Sequence, residues 1–173
     1  WRRQVQMIFQ DPYAALNPRH SVETLLDRVQ RLHGQTDAHL RQQARLAMLD
    51  AVGLARSSLA RLPHQFSGGQ RQRIGIARAL ILKPRLVICD EPVSALDVST
   101  QAQILNLLVE LREELGLSYL FISHDLAVVQ HVCDQVIVLH QGEVVERGTP
   151  RKLFSAPEHP YTQALVKAAP RVI

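Results

Sequence analysis

Two acidic residues side by side at the end of an apolar run are the arrangement in this chain best suited to chemistry. Leu86-Val87-Ile88-Cys89 reads as a strand buried on both faces, and Asp90-Glu91 follow it directly. Ligands of open α/β sheets bind beyond the carboxyl ends of strands. Two like charges placed there are costly unless a cation or a proton lies near them. In that setting Asp90 would hold Mg²⁺, usually through water, and Glu91 would polarise an attacking water. The same six residues also suit two solvated acids that open a turn with the help of Pro92.

A second constellation, Phe66-Ser67-Gly68-Gly69-Gln70-Arg71-Gln72-Arg73, opens a helix. Ser67 and Gln70 have the spacing of a capping box. Capping alone does not explain two glycines in the first turn, each costing about 1 kcal/mol of helix stability relative to alanine. Glycines there let an anion approach bare N–H groups at the positive end of the helix dipole. A third group is Ser123-His124-Asp125, at the end of Tyr119-Leu120-Phe121-Ile122, which reads as a second buried strand. A lone histidine is usually an ordinary surface or core residue. His124, however, leaves the same sheet edge as Glu91, where it could contact a terminal phosphate. Between them Ser94-Ala95-Leu96-Asp97 ends on a residue placed to cap the next helix. Gln10, which ends the first strand, completes a set of polar residues at strand ends.

The elements that must position these residues can be read in order. Val5–Phe9 is a strand ending at Gln10-Asp11-Pro12, and Pro12, Asn17 and Pro18 mark a loop. Helical spacing recurs over Ser21–Leu32 and Asp37–Val52. In the second of these, Leu40, Ala44, Ala47, Met48, Ala51 and Val52 form one stripe, with Gly53 at the helix end. The helix opened by Gly68 runs to Pro84. After Leu86–Cys89 come an amphipathic helix over 99–115, the Tyr119–Ile122 strand, a helix over Leu126–Cys133 and a strand over Val136–Leu139. Gln141-Gly142 is a turn, from which Glu143–Glu146 could pair back as a hairpin. Strand–helix alternation of this kind gives a mainly parallel sheet covered by helices. The tail, with Pro150, Pro157, Pro160 and Pro170, reads as loop with short helical pieces.

Composition limits the function classes. The chain has 173 residues, 46% hydrophobic and 21% charged, ordinary for a globular domain with a real core. No run of about 18 apolar residues occurs, so nothing reads as a membrane span. The net charge of +4 comes from scattered basic residues without a long block, which disfavours specific nucleic-acid binding. Two cysteines, Cys89 and Cys133, lie in apolar segments and suit reduced, buried thiols. The first residues, Trp1-Arg2-Arg3, are too polar for a signal peptide. The chain opens on a strand-like segment without Met, so the true start is expected to be missing.

Together these motifs resemble the nucleotide-binding domain of ABC transporters over essentially the whole chain. Gln10 is similar to the family's Q-loop, and Ser67-Gly68-Gly69-Gln70 to its signature motif, with Phe66 in place of the more usual Leu. Asp90 and Glu91 resemble the Walker B aspartate and catalytic glutamate, Ser94–Asp97 the D-loop, and His124 the switch histidine. Five motifs in this order, at compact spacing, are specific. Phe9-Gln10-Asp11-Pro12-Tyr13, Leu16-Asn17-Pro18-Arg19 and His159-Pro160-Tyr161-Thr162-Gln163-Ala164-Leu165 resemble the dipeptide, oligopeptide and nickel importer ATPases. Some relatives carry a cysteine-rich iron–sulfur segment, which two cysteines do not supply. The family's phosphate-binding loop, G-x-x-x-x-G-K-[ST], does not occur: no Gly is followed by Lys.

The resemblance implies an α/β fold, a P-loop NTPase of the ABC ATPase type with a mainly parallel sheet and a helical subdomain, N-terminally truncated. It implies a partial ATPase domain over 1–150, with a helical subdomain near 11–84 and a RecA-like part near 85–142, and a C-terminal extension over 151–173. Two such domains would sandwich two ATP molecules. Ser67, Gly68, Gly69, Gln70 and Asp97 would contact ATP, with the signature residues facing the partner's nucleotide. Gln10 and Asp90 would hold Mg²⁺, Gln10 also contacting ATP, while Glu91 and His124 would be catalytic. The implied partners are a second ABC ATPase subunit, integral membrane permease subunits and, indirectly, a substrate-binding protein, with no nucleic acid. The implied place is the cytoplasmic face of the bacterial inner membrane, held peripherally. On this reading the complete protein hydrolyses ATP to import peptides or nickel, and these residues alone do not. The rivals are an ABC ATPase of DNA repair or translation, and a non-catalytic subunit that completes a partner's site. Rivals of the first kind usually carry long insertions where this chain has a compact helical stretch between Gln10 and Ser67.

Overall fold

The computed structural model describes residues 1–12 and 16–168. Tyr13, Pro170 and the end of the 151–173 extension, all named above, lie outside the described residues. The chain forms two compact units, Trp1–Ile122 and Ser123–Ile173.

The first unit opens with β1 (Val5–Ile8), followed by α1 (Val22–Leu32) and α2 (Ala38–Ala51). Two short 3₁₀ turns, Arg56–Ala60 and Pro63–Gln65, lead to α3 (Gly68–Leu80), β2 (Leu86–Asp90), α4 (Val98–Leu115) and β3 (Ser118–Ile122). The three strands form a parallel sheet in the order β1-β2-β3. Ile8, Cys89 and Phe121 share one register row, as do Val87 and Tyr119, and this face is covered. Tyr119 reaches α4, where its hydroxyl donates to the Leu108 carbonyl at 2.9 Å. Ile8, Ile74, Ile76, Leu80, Val87, Ile104 and Leu108 are almost wholly buried. Each is worth about 1.5–3 kcal/mol relative to exposure.

Three expectations need correction. The Tyr119–Ile122 strand is not buried on both faces: Leu120 and Ile122 are 52% and 47% exposed. Its apolar run is real, but the described residues cover only one of its faces. Second, α3 ends at Leu80 rather than reaching Pro84, because the following turn takes Lys83 to φ 52° and the residue before a proline is disfavoured from helix. Third, the stripe on α2 is not the one the apolar residues draw. Leu40 is 60% exposed, whereas Arg41 and Arg45 are buried. The cause is Asp27 on α1, which accepts from Arg41 Nε at 2.8 Å and Arg45 Nη1 at 2.7 Å. Arg45 also donates to Gln30 Oε1 at 3.2 Å and to Glu23 at 3.1 Å. An ion-pair network, with Met48, Leu49 and Val52 beside it, therefore joins the two helices.

The second unit contains α5 (Leu126–Val132), β4 (Val136–His140), β5 (Glu143–Gly148), α6 (Pro150–Ser155) and α7 (Pro160–Ala168). The Val136–Leu139 strand pairs antiparallel with β5 in a two-stranded sheet of its own. The hairpin foreseen at Gln141-Gly142 is present, both residues taking positive φ, 51° and 84°. Glu146 of β5 accepts from the amides of Glu158 and His159, at 3.0 and 3.1 Å, and so holds the start of α7. His140 and Tyr161 stack with ring centroids 3.9 Å apart. Among the described residues no helix is long and apolar enough to cross a membrane.

Candidate functional site

Parallel pairing of β1 with β2, with Ile8 opposite Cys89, makes both strands leave the sheet at one edge. Gln10 lies two residues past β1 and Glu91 one residue past β2, so their side chains meet there. The Gln10 Nε2 donates to Glu91 Oε2 at 3.0 Å. Asp90 is the last residue of β2, paired with Ile122 of β3. Glu91 itself is held at φ 42°, in the left-handed region. A non-glycine residue there stores about 1–3 kcal/mol and persists only where its surroundings over-determine it. Here the Glu91 amide donates to Ile122 O at 3.0 Å, and the Glu91 carbonyl accepts from Ser94 N at 3.2 Å and Ser94 Oγ at 3.1 Å. The turn after β2 is therefore tied to β3 on one side and to the Ser94 segment on the other.

The capping box read from Ser67 and Gln70 is formed. Ser67 Oγ accepts from Gln70 N at 3.3 Å, and Gln70 Oε1 from Ser67 N at 3.1 Å. Phe66 is buried, and the Arg61 guanidinium lies 4.2 Å over its ring. Arg71 donates to the carbonyls of Phe66 and Pro63, pinning the chain that enters α3. The start of α3 is thus braced from below, while Ser67, Gly68 and Gln70 are exposed.

Asp97 caps α4 and uses both carboxylate oxygens to do so. Its Oδ1 accepts from Ser99 Oγ at 2.7 Å and Thr100 N at 3.0 Å, and its Oδ2 from Thr100 Oγ1 at 2.7 Å. The Ser99 hydroxyl, with the amide and hydroxyl of Thr100, holds the Asp97 pKa down to about 2. Gln101 braces the same turn by donating to Leu96 O at 3.0 Å. A Cβ added at Gly68 would meet Leu96, and one added at Gly69 would meet Thr100. Sequence reasoning missed Thr100 altogether and gave Ser94 no tie to Glu91. Only the two hydroxyls that follow Asp97 hinted at the first.

His124 belongs to the second unit, in the exposed turn before α5. Ser123 Oγ accepts from Asp125 N at 3.0 Å, and Asp125 caps α5 through Ala127 N at 2.8 Å. Among the described residues no group of three or more His, Cys, Asp or Glu stands together as a metal site. Asp90 and Gln10 offer one carboxylate and one amide oxygen. That set fits a Mg²⁺ ion, which keeps several waters and takes its remaining ligands from one or two carboxylates and substrate phosphates.

Residues 1–94 match the ABC transporter family, and residues 145–172 match the oligopeptide/dipeptide transporter C-terminal region. The dipeptide transport ATP-binding protein DppF of Haemophilus influenzae is 52% identical over 171 residues, 99% of this chain and 52% of that protein. The oligopeptide transport ATP-binding protein OppF of Escherichia coli is 53% identical over 170 residues, 98% of this chain and 51% of that protein. The chain spans about half the length of the curated relatives it matches. Among solved structures, CbiO1 of Clostridium perfringens, part of the ABC transporter complex CbiONQ, superimposes with a TM-score of 0.80. It is 28% identical, and the match covers 90% of this chain and 61% of that one.

Proposed function

The chain belongs to the ABC transporter family, and on that premise we propose that it is part of an ATP-hydrolysing subunit that powers import of peptides. The observation that carries this reading is the Gln10–Glu91 pair beside Asp90, at the carboxyl edge of a parallel sheet. Glu91 is the base: its carboxylate, held in place by the turn and by Gln10, orients the attacking water in line with the terminal phosphate. His124 contacts the transferring phosphoryl group. Asp90 and the Gln10 amide oxygen would hold a Mg²⁺ ion, whose charge would offset that of the phosphates. Ser67, Gly68, Gly69 and Gln70 meet the terminal phosphate of ATP held by a partner subunit, and Asp97 shapes the turn beside them.

No Gly in these residues is followed by Lys, so the main grip on the phosphates comes from residues outside this sequence, in a longer ATPase. These residues alone do not turn over ATP. Partners are a second ATPase subunit and membrane permease subunits, at the cytoplasmic face of the membrane, with a substrate-binding protein delivering cargo. The relatives' names favour peptide over nickel as that cargo, and the match at 145–172 supports the same subgroup.

The test is Glu91→Gln in the complete ATPase. Steady-state phosphate release should fall by at least about a hundredfold, the usual contribution of a general base, while ATP stays bound. Turnover at the wild-type rate would remove Glu91 from this role.

A further inference from the structure

Gly69 lies in the first turn of α3, and a Cβ added there would overlap Thr100 Cγ2. Carbon atoms do not pack that closely, so a side chain at this position must displace Thr100 or the helix. Thr100 is poorly able to yield. Its hydroxyl donates to Asp97 Oδ2 at 2.7 Å and its amide to Asp97 Oδ1 at 3.0 Å. A β-branched side chain in a helix has few χ1 wells. Turning the methyl away from Gly69 takes the hydroxyl off Asp97. Gly68 is different, since a Cβ there would meet only Leu96 Cδ2 at 3.4 Å, an ordinary contact. Gly75, further along α3, would meet nothing within 4 Å.

We infer that Thr100 is a positioning residue for the start of α3: its methyl group, locked by the hydroxyl on Asp97, is what requires glycine at position 69. The signature turn is thereby set against α4 from within its own chain. Glycine at 68 answers to no such contact. That this turn meets a phosphate rests on the function proposed above, whereas the packing does not.

The experiment uses the complete ATPase with Gly69→Ala, Thr100→Ser and the double variant, reading the KM for ATP, kcat and the unfolding midpoint. Alanine is the better helix former, yet Gly69→Ala should lower the midpoint by about 3–6 °C and raise KM about five- to tenfold. Thr100→Ser keeps a hydroxyl for Asp97 and removes the obstructing methyl. In that background Gly69→Ala should cost no stability, and KM should fall at least about twofold from that of Gly69→Ala alone. Should Gly69→Ala alone fail to fold, a folded double variant is the expected result. Gly68→Ala, as a control, should gain nothing from Thr100→Ser. A double variant whose midpoint recovers while KM stays at that of Gly69→Ala alone would overturn the inference, because the ligand alone would then exclude a side chain at 69. Failure of the midpoint to recover would overturn the packing. A wild-type protein that hydrolyses no ATP would count against the proposed function instead, and the unfolding midpoints would still decide the packing.

Discussion

Gln10 and Glu91 are 81 residues apart in the chain and joined by a 3.0 Å hydrogen bond. A hydrogen bond to a charged group contributes about 1.5–3 kcal/mol, here directed at orienting a carboxylate rather than at holding the fold. Gln10→Ala should therefore lower kcat for ATP hydrolysis about tenfold. Because Gln10 is exposed, the unfolding midpoint should move by less than about 2 °C. Kinetics showing an unchanged kcat would deny Gln10 its orienting role.

The backbone at Glu91 makes stability and activity pull apart. With φ at 42°, the position suits glycine better than any side chain. Glu91→Gly should leave the unfolding free energy equal to wild type or up to about 1 kcal/mol higher. Glu91→Val should lower it by about 2 kcal/mol. Urea denaturation compares the two, and both should be inactive. A strongly destabilised glycine variant would show that the Glu91 side chain supports the fold.

Asp27 faces three arginines, two of them with side chains only 7% exposed. Replacing it by alanine leaves Arg41 without its carboxylate and Arg45 with Glu23 alone, a loss of about 3–5 kcal/mol, read by denaturant unfolding. Burial acts to raise the Asp27 pKa, but the Arg41 hydrogen bond and the charges of Arg31, Arg41 and Arg45 prevail and hold it below 3.8. A depressed carboxylate contributes stability that is complete above its ordinary value and lost as pH falls through the folded value. Acid titration of the wild-type protein should therefore unfold it more steeply below pH 3.8 than it does the Asp27→Asn variant.

Glu146 anchors the start of α7 from β5. The amide of Glu158, followed in the chain by that of His159, holds its carboxyl below the ordinary value. The anchor is therefore intact at neutral pH and weakens as acid protonates it. Glu146→Ala should speed hydrogen exchange at the amides of Glu158 and His159 by about tenfold or more, while exchange in β2 stays as in wild type. Unchanged exchange at 158 and 159 would mean that α7 is held by its apolar contacts and the His140–Tyr161 stack instead.

What the sequence by itself determined is whatever depends on neighbours within a turn or two. The Ser67–Gln70 capping box, the Asp97 cap, the Gln141-Gly142 turn and the order of strands and helices all follow from short-range spacing, and the structure contains each of them. The family could be read for the same reason, since its motifs are short words in a set order. Tertiary structure decided what joins those words. Parallel pairing of β1 with β2 brought Gln10 to Glu91, and the turn between β2 and α4 forced Glu91 to positive φ. Helix packing turned Arg41 and Arg45 inward to meet Asp27, against the apolar stripe. It also pressed Thr100 against Gly69, giving that glycine a reason its own sequence context does not contain. Propensity and capping act through the nearest few residues, whereas these contacts exist only once distant segments have been packed into one core.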